Sequence, residues 1–262
     1  NICYHCKQDS ALIKADHLLG FDEIPLQNSD PRNQDAVQLL GRPAGDGLIT
    51  IRETDRMLVL SCEQFTYVFN KLTGLFDKMT FANEPLLDQP MGFNVWRAPT
   101  DNDRKLKADW YAAHYDHAAT NAYHTEYTVT ASGVTLHTHV GIAAICVQKF
   151  LDLDVTWTVA NNGSVDLALH AQRNTVFPEL PRFGLRLFLP QEMSQVNYYG
   201  MGPMECYCDK HHAASHNSYT ATVWQLHEDY IRPQENGSHF DCDYVMLAGD
   251  AVRLTAVGTQ PF

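Results

Sequence analysis

Phe150-Leu151-Asp152-Leu153-Asp154-Val155-Thr156-Trp157-Thr158-Val159-Ala160 decides the fold. Leu151, Leu153, Val155, Trp157 and Val159 fall on one side of an extended chain, and Asp152, Asp154, Thr156 and Thr158 fall on the other. A sustained period of two predicts a strand with one buried and one wet face. Asn161-Asn162-Gly163 then closes it as a hairpin turn.

Outward from this strand the pattern repeats. Thr125 to Val140 alternates again, with Ala131-Ser132-Gly133 as its turn. Met57 to Ser61 is a short apolar run, and Phe65, Tyr67 and Phe69 alternate with polar neighbours. Asn70-Lys71-Leu72-Thr73-Gly74 turns the chain into Leu75 to Phe81, which predicts a β-hairpin. Leu185 to Leu189 and Tyr244 to Leu247 read as further strands. Arg104 to Ala119 reads as a loop with one or two helical turns, because it is polar all round at its start. Strands with a trace of helix predict an all-β antiparallel sandwich. Gln27 to Asn33 and Gly41 to Gly47 are breaker clusters, which put a domain boundary between Leu26 and Gly47.

Composition narrows the function. The 262 residues are 45% hydrophobic and 19% charged, as in a globular chain. A formal charge of −12 repels phosphate backbones and anionic lipid surfaces, so neither nucleic acid nor membrane is an expected partner. No apolar run reaches the roughly 18–20 residues that span a bilayer. The first residues lack Met and start in mid-pattern, as in a piece cut from a longer chain. Seven irregularly spaced cysteines argue against a disulfide framework and for a reducing cytoplasm. Cys3-x-x-Cys6 with His5 lacks the second pair that a zinc site needs. Cys206-x-Cys208 alternates like a strand, one thiol in and one out.

Three polar clusters could carry chemistry. The first is Trp96-Arg97-Ala98-Pro99-Thr100-Asp101-Asn102-Asp103-Arg104, a loop leaving a strand. It is either self-satisfied, with Arg97 paired to an Asp, or a platform whose Arg, Asp and Asn grip sugar hydroxyls. Asp101-x-Asp103 lacks the Gly and Glu of a calcium loop. The second cluster runs from Tyr198 to Lys210, where Gly200 and Gly202 predict a tight bend with close backbone approach. The third, Arg232-Pro233-Gln234-Glu235-Asn236-Gly237, is a turn. Asn162-Gly163-Ser164 and Asn236-Gly237-Ser238 match a glycosylation sequon but read better as Asn-Gly turns. No acidic pair stands out for glycoside hydrolysis. His137-x-His139 could suit a metal, though a wet strand face is the plainer reading, and His211-His212 shows no obvious partner.

Together the clusters resemble the C-terminal, small-chain region of the large β-galactosidases of glycoside hydrolase family 2. The resemblance is carried by Arg97-Ala98-Pro99-Thr100-Asp101-Asn102-Asp103, then by Gly200-x-Gly202-Pro203-x-Glu205-x-Tyr207-x-Asp209-Lys210. Pro233-x-Glu235-Asn236-Gly237 completes it, in the family's order. It implies a galactose-mutarotase-like supersandwich over residues 41–262. Residues 1–40 would be a remnant strand of an immunoglobulin-like domain plus linker. It implies no catalytic residue here: the catalytic glutamates of this retaining hydrolase would lie on a separate TIM barrel. Arg97, Asp101, Asn102, Asp103, Arg104 and Lys105 would form a substrate-proximal loop, and Gly200, Gly202, Pro203, Glu205, Tyr207, Asp209, Glu235, Asn236 and Gly237 a structural motif.

The family has Gly where Lys105 stands, which bears on hinge motion, and Arg where Lys210 stands. The resemblance implies a sugar-stacking Trp near the family's C-terminus, at a position past Phe262. The chain would hold no cofactor, with Mg and Na left to the parent, an expected homo-oligomer acting on terminal β-galactosides. The end of the chain predicts an unpaired strand edge near Val252 to Val257. The alternative is a free-standing aldose 1-epimerase-like enzyme or carbohydrate-binding module on the same fold. A separately encoded small subunit is the third reading.

Overall fold

The computed structural model describes residues 1–24 and 47–258. The breaker clusters and the expected domain boundary lie almost wholly outside them. The strands are β1 (Ile2–His5), β2 (Leu18–Asp22), β3 (Thr50–Glu53), β4 (Met57–Ser61), β5 (Phe65–Asn70), β6 (Leu75–Phe81), β7 (Glu84–Pro85) and β8 (Gln89–Asn94). Helix α1 (Lys107–Ala112), flanked by 3-10 turns at Asp101–Arg104 and Tyr115–His117, separates them from the rest. Then come β9 (Ala119–Thr130), β10 (Gly133–Ala143), β11 (Leu151–Ala160), β12 (Val165–Arg173), β13 (Gly184–Phe188), β14 (Gln195–Gly202), β15 (Ser215–Thr222), β16 (Tyr244–Ala248) and β17 (Arg253–Val257).

Every pairing between these strands is antiparallel, and the molecule is an all-β sandwich. One sheet runs β3-β4-β5-β6-β7 and the facing one β12-β11-β10-β9. Leu151, Leu153, Val155, Trp157 and Val159 of β11 are all buried, as their alternation requires. Opposite them lie Leu58, Leu60, Tyr67, Phe69 and Phe76. The Phe76 and Trp157 rings meet edge to face at 5.2 Å, and Trp157 Nε1 donates to the Gly74 carbonyl at 3.0 Å. Tyr67 Oη donates to the Gly163 carbonyl at 2.8 Å. Trp157 and Tyr67 thus each spend a polar tip on a turn of the facing sheet, which helps fix how the sheets sit.

A second four-stranded sheet runs β15-β14-β16-β17, around a smaller core of Val196, Tyr198 and Cys242. Strand β17 is its edge, paired to β16 on one side.

Three expectations change here. Gly200 and Gly202 lie inside β14 and not in a bend, and the turn comes after them. Their close backbone approach is present: a Cβ on Gly200 would stand 2.5 Å from Cys242 Sγ, and one on Gly202 2.3 Å from Tyr198 Oη. Cys206-x-Cys208 lies in a turn bridged from Tyr207 to Lys210, although Cys206 is buried and Cys208 exposed. At the N-terminus β1 joins β2, so the segment is a hairpin and not a lone strand.

Candidate functional site

Strand β8 delivers the first cluster, and the side chain of Asn94 holds the exit by bonding the backbone of Trp96 at both its atoms. Trp96 packs on Trp110 and Tyr111 of α1, and the Arg97 guanidinium lies 5.7 Å over the Trp110 ring. Arg97 Nη2 donates to Asp103 Oδ1 at 2.6 Å. The other oxygen of Asp103 accepts from Thr100 N at 2.9 Å and Thr100 Oγ1 at 3.1 Å. Asp103 is therefore a buried, fully used carboxylate that locks the 3-10 turn. Asp101, Asn102, Arg104 and Lys105 all stand exposed on that turn. The loop is self-satisfied at its base, as the first of the two readings expects, and exposed at its tip. Arg97 Nε, buried, has no hydrogen-bond partner among the described residues.

The second cluster centres on Glu205, whose side chain is 5% exposed. It accepts hydrogen bonds from Tyr230 Oη, from Lys210 Nζ at 3.0 Å and from Gly237 N at 3.0 Å. Burial pushes its carboxyl up; the bonds from Tyr230, Gly237 and Lys210 outweigh burial and leave it below the usual value. Burial, with the charge of Glu205 beside it, pushes the Tyr207 phenol up to about 12. Asp209 points outward. His211 has a partner after all, the Tyr207 carbonyl at 3.2 Å, and it stacks on His212.

The third cluster ties the other two together. Glu235 N donates to the Ala98 carbonyl at 3.2 Å, and Arg232 faces Asp101 at 3.6 Å. Gly237, at φ +73°, turns its N–H onto Glu205. Asn236 Oδ1 accepts from Glu228 N at 3.2 Å. The Glu235 carboxylate is gripped by Arg182. Three stretches far apart in sequence thus meet at one turn.

Sequence reasoning passes over Arg182 and Tyr230, since no local pattern marks a side chain whose partner lies far along the chain. For His139, read from sequence as a metal candidate or part of a wet strand face, it misses the partners: the ring is held between Asp152 at 2.8 Å and Asp154 at 3.0 Å across β10 and β11. Strand register could have found that group, because His139 stands opposite Asp154. Among the described residues no group of three or more His, Cys, Asp or Glu is placed to hold a metal ion. The best-placed carboxylates, Asp103 and Glu205, are already spent on protein donors. No helix among them is long and apolar enough to cross a membrane.

Comparison with known proteins gives the family. The chain is 34% identical over 262 residues to a β-galactosidase of Actinobacillus pleuropneumoniae, covering all of the chain and 25% of that protein. It is 31% identical over 260 residues to one of Staphylococcus xylosus, covering 99% of the chain and 26% of that protein. One of Pseudoalteromonas haloplanktis is 26% identical over 258 residues. The chain spans about a quarter of the length of these curated relatives. Residues 61–260, which hold all three clusters, match the family described as the beta galactosidase small chain, and the chain belongs to that family.

Proposed function

We propose that this chain is the non-catalytic, C-terminal part of a retaining β-galactosidase, shaping one side of an active site whose catalytic carboxylates lie elsewhere. The observation that carries the proposal is the meeting of the three clusters at Arg232 to Gly237. That turn braces the Arg97 to Arg104 loop from below and leaves Asp101, Asn102, Arg104 and Lys105 facing outward. Exposed amide, carboxylate and cation on a braced loop suit the hydroxyls of a neutral sugar. Support comes also from the names of the relatives, each a β-galactosidase about four times as long.

On this reading the substrate is a terminal β-D-galactoside such as lactose, and the partner is the barrel-bearing remainder of a cytoplasmic homo-oligomer. Any Mg or Na belongs to that remainder. On the same reading residues 1–40 are the remnant of a preceding domain plus linker, and Glu23 in it accepts from His216 N at 3.0 Å.

The 262-residue chain purified alone should leave a chromogenic β-galactoside uncleaved, while the long protein that carries it should release galactose first as the β anomer. Turnover by the isolated chain, after rigorous removal of host enzyme, would falsify the proposal. Catalysed mutarotation by the chain alone would favour the epimerase-like reading.

A further inference from the structure

One exposed isoleucine is ordinary on a protein surface. Ile231 is fully exposed in an unusual setting. It stands on the long loop from His227 to Gly237, which contains no strand or helix. A loop of that kind usually carries small polar residues and some freedom. This one is fastened on both sides of its tip. Glu228 N bonds Asn236 Oδ1, Tyr230 Oη bonds Glu205, Glu235 N bonds the Ala98 carbonyl and Gly237 N bonds Glu205.

Apolar surface gathers on both flanks. Met204 and Tyr230, both exposed, line a 380 Å³ cavity on one side. Val223 and Trp224, also exposed, line a 470 Å³ apolar cavity on the other, walled by Asn236 and Gly237. An apolar tip on a loop anchored at both ends, flanked by one mixed recess with Glu205, Lys210 and Glu228 in its lining and one apolar recess, is the anatomy of an interface centre, where a preorganised anchor enters a partner's pocket.

We propose that this loop and its two recesses are the face on which the large remainder of the β-galactosidase packs, with Ile231 as the anchor entering an apolar recess there. The inference rests on the function proposed above. Two observations select that occupant. The relatives carry about three quarters of their length outside the matched region. The loop is also continuous with the Asp101 to Lys105 turn through Arg232 and Asp101, so whatever seats Ile231 brings that turn up to itself.

The test compares wild type, Ile231→Asp and Ile231→Leu in two settings, the 262-residue chain and the intact long protein that carries it. In the chain alone neither substitution should move Tm by more than about 2 °C, because the side chain touches only water. In the intact protein Ile231→Asp should lower Tm by about 4 °C or more and open the region to protease, and Ile231→Leu should restore wild-type behaviour. An intact protein indifferent to Ile231→Asp would overturn the proposal. So would an isolated chain that sediments as a dimer dissociated by Ile231→Asp, since the face would then belong to a second copy. Galactoside hydrolysis by the intact wild type is scored separately: its absence would sink the functional reading while the stability comparison still judged the interface.

Discussion

Glu205 shows how one residue can join separate loops through its own hydrogen bonds. Its buried carboxylate collects donors from Tyr230, Lys210 and Gly237, which belong to two different loops. Because its folded value is depressed, the unfolded chain takes up the proton first as pH falls. Its stabilisation is therefore complete above the usual carboxylate value, about 4.3, and is lost as pH drops through the lower folded value. Glu205→Gln should cost about 1.5–3 kcal/mol at pH 7, the worth of hydrogen bonds to a charged group. It should also flatten the acid limb of a Tm-against-pH curve measured by circular dichroism. A variant whose acid limb matched wild type would show that other carboxylates dominate. Asp103 has a parallel role in the first loop, but its partners Arg97 and Thr100 lie within a few residues, so it braces one turn only.

At the scale of elements, β11 and its facing hairpin carry the sandwich. Trp157→Ala should destabilise by about 3–5 kcal/mol, the usual range for a buried aromatic. Trp157→Phe should cost about 1–3 kcal/mol, since it keeps the contact with Phe76 but leaves the Gly74 carbonyl unpaired. Urea unfolding of both variants checks this, and a Trp157→Phe variant as stable as wild type would mean that the hydrogen bond adds nothing. These elements were legible in the sequence because Leu151 to Val159 and Phe65 to Phe69 alternate against a core. Strand β15, Ser-His-Asn-Ser-Tyr-Thr-Ala-Thr, was not, because it is a polar edge strand defined by its pairing with β14. Strand β14 was mistaken for a bend because its glycines look like turn residues, whereas they serve the packing of Cys242 and Tyr198. The three clusters were legible as separate motifs. Their junction was not, since the Glu235 to Ala98 bond has no counterpart in local pattern.

At the scale of the molecule, the described residues form two cores of unequal size, a large one between the main sheets and a small one of Val196, Tyr198 and Cys242. Local stability follows buried apolar contact, so amides of β14 to β17 should exchange with deuterium sooner than those of β10 and β11. Identical protection in both would argue for a single cooperative unit. The bond between Glu235 and Ala98 has a consequence in time as well as in space. A ribosome adding about 5–20 residues per second delivers the Arg97 loop on the order of 10 s before the turn that braces it. During that interval the first motif rests on its local Asp103 bonds alone, and the brace from Glu235 is the last contact it receives.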